Sequence, residues 1–341
     1  MRYAYVGCRT TKERNARGEG LKTYEIQPDG SWKCLQCLET EPNPSFQTLD
    51  GEGKYLYSVH GDITKVSSYR ILKDHTLEHI NTIDIGGRNP VDITVDRNNK
   101  HVIVATLQGG TIYTIDRKND GSLGEVIAEF TYEGKEPGKV STIHQCLWDK
   151  KKNFLFACAQ SRVNGYGQMR ALRYDHETGQ FTQTAQFLSR TWDEPRHAAV
   201  HPNNLWVYMC EEKGNKVLFF RFDDENGTFE ALQELTTVPE TVTGYSDASE
   251  VMVDPSGKSN RYTDSIAVYR IDPLTGYMRN VGFYPCLGKT PRFFCFGDNG
   301  KCYVANEDSD TIIEFDFDNM TGALIPTLNI VHTGSPVCIL F

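Results

Sequence analysis

The sequence predicts an all-β protein, a seven-bladed β-propeller. Three observations carry this: a four-part pattern of short apolar runs recurs along the chain, long helical periodicity is missing, and the two termini carry complementary pieces of one more unit. In each unit, a proline or small polar residue opens an apolar run. An Asp/Asn/Gly turn, often followed by Lys, leads to a second run. A polar loop leads to a third run ending in Asp, and a "TG" or "DG" turn leads to a fourth.

The first full unit opens at Pro44 ("NPSFQTLDGEGKYLYSVHGD") and the next at Pro90 ("NPVDITVDRNNKHVIVATLQGGTIYTID"). The third opens at Thr142 ("TIHQCLWDKKKNFLFACAQ") and the fourth at Pro195 ("EPRHAAVHPNNLWVYMCEEKGN"). The fifth lies near Ala248 ("ASEVMVDPSGKSNRYTDSIAVYRID") and the sixth opens at Pro291 ("TPRFFCFGDNGKCYVANEDSDTI"). A seventh is split: "SPVCILF" at 335–341 reads as a first strand, and "MRYAYVGCRT" with "GLKTYEIQPDG" as second and third strands. The period is about 49 residues. A blade alone cannot cover both faces of its sheet, so the expectation is one domain over 1–341, its ring closed by the C-terminal strand joining the N-terminal blade. One unit is short. Five residues lie between Lys258 and Asp264 where eight lie between Lys301 and Asp310, a loss of about 10 Å of strand at ~3.3 Å per residue.

The formal charge is -9, from 36 basic and 45 acidic residues, which argues against a nucleic-acid binder held by a basic surface. The N-terminus lacks a long apolar stretch and no run approaches the roughly 18 apolar residues of a membrane span. With ten cysteines, this predicts reduced thiols in the cytoplasm. Cys34 and Cys37 form a CxxC in a strand-like context, with their side chains expected on opposite faces. No metal-ligand spacing, P-loop, GxGxxG, GxSxG or HExxH is present, so neither metal nor cofactor is expected. The oligomeric state is not encoded in any motif.

In a propeller the first strand of each blade lines the channel, so first-strand starts and second-strand ends share one rim. The opposite rim carries ordinary turns such as "DGEGK" and "GDNGK". First-strand starts bring Gln47, Asp92, His144, Arg196, His197, Glu250 and Arg292 to the channel mouth. Second-strand ends add His60, Asp62, Gln160, Arg162, Glu211, Glu212, Asn306 and Glu307, among others. Two arginines suit a planar carboxylate or a phosphate, because the guanidinium donates paired hydrogen bonds. A histidine or glutamate beside them has the chemistry to activate water. The bland reading of each residue is an ion pair at a strand end; the convergence of His144, Arg196, Glu212 and Arg292 favours a site. His197, Glu250 and Asn306 are candidate substrate contacts, and Tyr166 in "NGYGQ" is a candidate lid residue.

On "YVGCRT", "GGTIYTIDRKNDGSLGE", "PRHAAVHPN" and "KTPRFFCFGDNGKCYVANEDSDTI", read in this order over nearly the full length, the chain resembles the seven-bladed β-propeller lactonases. This group contains the propeller-type 6-phosphogluconolactonases and the fungal carboxymuconate lactonizing enzyme. The resemblance implies a cofactor-independent hydrolase acting on the δ-lactone of 6-phosphogluconate, in the oxidative pentose phosphate route. The lactonizing branch implies a cycloisomerase or a lactonase for a carboxylated lactone instead. It also implies a catalytic set of His144, Arg196, Glu212 and Arg292, with His144 or Glu212 as general base and a small anionic lactone as partner. Glu211 stands where relatives carry Asn, an extra charge expected to weaken anion binding. Thr106 and Leu107 stand where relatives tend to carry polar groups. A catalytically inactive binding platform is the non-enzymatic alternative.

Overall fold

A computed structural model describes residues 2–241, 243, 246–254 and 265–341. Its described residues form six four-stranded sheets and one two-stranded sheet, an all-β propeller fold. The four-stranded sheets start at Pro44, Pro90, Thr142, Pro195 and Pro291, as the repeat predicts. In the remaining four-stranded sheet Pro336–Leu340 pairs antiparallel with Arg2–Cys8, which pairs with Leu21–Ile26 and then Trp32–Leu38. The two-stranded sheet joins Ser265–Ile271 to Met278–Pro285. The shortened segment after Lys258 falls outside the described residues.

The sheets bury their faces on one another. Phe154, Phe156, Met169 and Ala171 of one sheet interleave with Ala198, Val207, Met209 and Phe220 of the next. Phe156 and Phe220 are fully buried, and each such side chain contributes about 1.5–3 kcal/mol of transfer free energy.

The recurring turn glycine joins this packing. At Gly227 φ is +74°, a conformation glycine adopts without steric cost. A Cβ there would stand 2.1 Å from Phe154 Cε1 of the preceding sheet. Tyr57 and Tyr208 donate across sheets to the turn carbonyls of Gly121 (3.0 Å) and Gly276 (2.8 Å). On the opposite rim, Asp50, Asp96 and Asp149 each accept two backbone N–H groups four and five residues on. That closes the first hairpin of three successive units, the ordinary turn chemistry expected there.

The CxxC departs from expectation. A bulge in Trp32–Leu38 sets Tyr24 opposite Cys34 but Thr23 opposite Gln36, leaving Leu35 without a partner. Lys22 is then opposite Cys37, so the extra residue puts both thiols on one face. Both are exposed and free.

Candidate active site at the channel mouth

Each four-stranded sheet that opens on a proline or Thr142 carries the same irregularity at its innermost strand. The register slips by one residue at Ser45, Val91, His144, Arg196 and Arg292. In the split sheet it slips at Val337. A bulge leaves one residue without a cross-strand partner and re-aims its side chain. All six bulged residues line one pocket at the channel mouth, with Arg9, Phe46, His197, Glu250 and Phe293. The pocket is a small recess, partly open to solvent.

Asp92 and Gln145, each following a bulge, tie neighbouring sheets, whereas Phe46, His197 and Phe293 at the same position line the pocket. Asp92 Oδ2 accepts from Cys146 N at 2.8 Å, and Gln145 Oε1 accepts from Ala198 N at 2.6 Å. Gln47 donates to Pro44 O and Ser58 Oγ. Burial pushes the Asp92 carboxyl far above the usual range, so Gln47 and Asp92 are structural members of the inner wall.

His144, His197 and Glu250 form a chain. His197 Nδ1 lies 2.8 Å from Glu250 Oε1, and His197 Nε2 lies 3.1 Å from His144 Nδ1. Glu250 Oε1 also accepts from Val251 N at 3.0 Å. Burial, then Arg196, His197, Arg292 and Arg162, holds the His144 imidazolium pKa well below its ordinary value. Burial likewise lowers that of His197, against the opposing pull of Glu250. Both rings are therefore neutral near pH 7, and one tautomer satisfies the chain. Glu250 accepts, so His197 carries its proton on Nδ1; its bare Nε2 accepts the proton on His144 Nδ1. His144 Nε2 is left as a lone-pair acceptor.

Arg196 is buried, and among the described residues no carboxylate oxygen lies within 4.0 Å of it. Its Nη1 is buried without a hydrogen-bond partner. Arg292 meets Glu307 Oε2 only at 4.0 Å. A buried cation without a close counter-ion is costly, and an anion in the pocket would offset that cost.

Glu212 stands just outside this lining. It accepts from Gln160 Nε2 and lies 3.5 Å from Arg162 Nη2. Burial alone would raise its carboxyl, but Arg196, Arg162, Gln160 and Arg292 outweigh burial and hold it below the ordinary value.

Of the predicted residues, His144, Arg196, His197, Glu250 and Arg292 meet in the pocket, with Glu212 at its edge. Asn306 does not join them: its Nδ2 faces Cys286 O at 3.3 Å and Thr311 Oγ1 at 3.5 Å. Glu211 also turns away. Its Oε1 accepts from Ser189 Oγ at 2.7 Å, and burial, with Asp193 and Glu234 nearby, pushes its carboxyl up to about 7. The charge expected to weaken anion binding is thus directed between sheets. Both residues pair with the proline that opens the inner strand; the residue after them is the one that faces the mouth. His60, at the same position, is held by Ser67 Oγ (2.7 Å) and Glu41 O (3.0 Å), and Thr106 donates to Thr111 O at 2.8 Å. Tyr166 is exposed beneath Lys135, whose Nζ lies 5.8 Å from the ring centroid.

Sequence reasoning missed Arg9 and Ser45. Arg9 follows the second strand of the split sheet, the position that Glu212 and Glu307 hold in theirs. Applying the strand-end rule to "YVGCRT" finds it. Among the described residues no cluster of three or more His, Cys, Asp or Glu is placed to hold a metal ion. No helix among them is long and apolar enough to cross a membrane.

A family model described as "Lactonase, 7-bladed beta-propeller" matches residues 3–341. The chain is 26% identical over 355 aligned positions to a 6-phosphogluconolactonase of Bacillus subtilis, covering 99% of this chain and 97% of that one. It is 27% identical to a 6-phosphogluconolactonase of Formosa agariphila, with 94% of each chain covered. The solved periplasmic gluconolactonase of Pseudomonas aeruginosa superposes with a TM-score of 0.88 at 23% identity, over 99% of this chain and 98% of that one. That likeness establishes the fold.

Proposed function

This chain belongs to the seven-bladed β-propeller lactonase family, and from that premise we propose that it hydrolyses a phosphorylated sugar lactone of the 6-phosphogluconolactone type. The names of the curated relatives support the substrate. The observation that carries the chemistry is the Glu250–His197–His144 chain, whose tautomers leave His144 Nε2 bare.

His144 Nε2 takes a proton from water as the water oxygen attacks the lactone carbonyl carbon. The carbonyl oxygen becomes an oxyanion, and the unpartnered Arg196 guanidinium stabilises it. The intermediate collapses with cleavage of the bond between the carbonyl carbon and the ring oxygen. That oxygen takes the proton from His144, leaving the open acid. Glu212, acidified by its arginines, is the weaker base. It screens Arg196, Arg162 and Arg292 from one another. No metal or cofactor enters these steps.

The whole chain, 1–341, is read as one domain, with the two-stranded sheet as part of the blade formed by the fifth unit. The pairing of Pro336–Leu340 with Arg2–Cys8 supports closure of the ring. The ten cysteines form no disulfide among the described residues, which supports a reducing, cytoplasmic setting.

A substrate panel tests the assignment: 6-phosphoglucono-δ-lactone, glucono-δ-lactone and a carboxylated muconolactone, against wild type and Arg196→Gln. The expected result is acceleration of the phosphorylated lactone that falls about 10²–10³-fold in the variant. Preference for the carboxylated lactone would move the assignment to the lactonizing branch. Binding without turnover of any of them would leave a binding platform.

A further inference from the structure

We infer that Arg9, Ser45 and Gly61 form a subsite for a phosphoryl group, apart from the carbonyl end of the pocket at Arg196 and His144. This rests on the lactonase reading and assigns the part of the site that recognises the substrate's dianion.

Arg9 is 5% exposed, and its Nη1 is buried without a hydrogen-bond partner. Its nearest carboxylate contacts are long, 3.6 Å to Asp62 Oδ2 and 3.6 Å to Glu307 Oε1. Ser45 is 9% exposed, and its Oγ is likewise buried and unpartnered. These two orphaned groups converge. A Cβ on Gly61 would stand 3.1 Å from Arg9 Nη1 and 3.1 Å from Ser45 Oγ. Asn89 Oδ1 stands 3.6 Å from the same point, so a side chain at 61 would crowd both groups, which themselves line the pocket.

Buried polar groups are normally satisfied. Two of them side by side in the pocket lining, one cationic, call for an acceptor with negative charge and several oxygens. A tetrahedral phosphoryl group supplies both. The charges are also ordered along the pocket: Arg292 is the strongest charged neighbour of Arg9, while Arg196 is the strongest charged neighbour of both Arg292 and His144. Arg292 is thus shared between a phosphoryl end at Arg9 and a carbonyl end at Arg196. Asp62 and Glu307 hold Arg9 in place at distances that leave its Nη1 free to donate.

The test uses the stable products. Calorimetry measures the dissociation constants of 6-phosphogluconate and gluconate for wild type, Arg9→Gln, Arg9→Lys and Gly61→Ala, with circular dichroism to check folding. The expected result is a wild-type preference for 6-phosphogluconate that shrinks roughly 10- to 100-fold in Arg9→Gln. Gly61→Ala shrinks it too, because the methyl group displaces Arg9 Nη1 and Ser45 Oγ, while Arg9→Lys retains part of it. Gly61→Ala serves alone if the arginine variants do not fold. An unchanged preference in a folded Arg9→Gln or Gly61→Ala, or equal wild-type affinity for both acids, overturns the subsite. Tight, Arg9-dependent 6-phosphogluconate binding by a wild type that hydrolyses no lactone would reject the lactonase reading and keep the subsite.

Discussion

His144 Nδ1 and His197 Nε2 stand 3.1 Å apart in the pocket, and the far nitrogen of His197 rests on Glu250. Two neutral imidazoles in series transmit the orientation set by the carboxylate to the one nitrogen left bare. In the proposed mechanism His144 is the base, and His197 and Glu250 position it.

Glu250→Gln keeps the shape and removes the charge. The expected outcome is a fall in kcat of about 10- to 100-fold with little change in KM, the usual effect of losing an orienting partner. The acidic limb of kcat/KM should also shift to lower pH, because His197 and His144 lose a charge that favours protonation. A change in KM alone would return Glu250 to a substrate-contact role.

The pH profile follows from the direction of the His144 shift. A base must be unprotonated, and burial and the arginines push the His144 pKa below its ordinary value of 6.5. Initial rates of kcat/KM should stay level from pH 8 to 6.5 and fall only in more acidic buffer. A plateau that already breaks above pH 6.5 contradicts a depressed His144.

Glu211 is expected to affect stability rather than rate. Its carboxyl is raised from the ordinary 4.5 to about 7 in the fold, burial first among the causes. The folded state therefore holds an extra proton between these values. Stability from this group is fully present below pH 4.5 and is lost as pH rises toward 7. Glu211→Gln should raise the melting temperature at pH 8, with a gain of roughly 1–3 kcal/mol. The gain should be smaller at pH 5. Thermal melts at both pH values decide it, and equal shifts at the two would speak against a raised carboxyl.

Two glycines separate strain from contact. Gly227 and Gly53 both have positive φ, but a Cβ at Gly53 would meet nothing within 4 Å. Gly53→Ala should cost about 1–2 kcal/mol, the conformational term alone. Gly227→Ala adds the collision with Phe154 and should cost about 1–3 kcal/mol more. Denaturant titration of the two variants measures the difference.

The strand phase alone was enough to bring His144, Arg196, His197, Glu250 and Arg292 to one rim. Alternation then fails by one residue. Phase cannot say that Arg196 enters the pocket while Glu211 turns between sheets, because the bulge at Arg196 is set by pairing with a second strand. The same slip hid the common face of Cys34 and Cys37. Arg9 escaped because its sheet is assembled from both ends of the chain, so its unit has no opening proline just ahead of it in sequence. The contact between Gly227 and Phe154 was legible only as a turn, since its steric role lies in a neighbouring sheet.

The most direct test of the central claim is the initial rate of hydrolysis of fresh 6-phosphoglucono-δ-lactone above the spontaneous background, for wild type and His144→Gln at pH 7. A large wild-type acceleration is expected, falling about 10²–10⁴-fold in the variant. A wild-type rate at background, or a variant as fast as wild type, would contradict it.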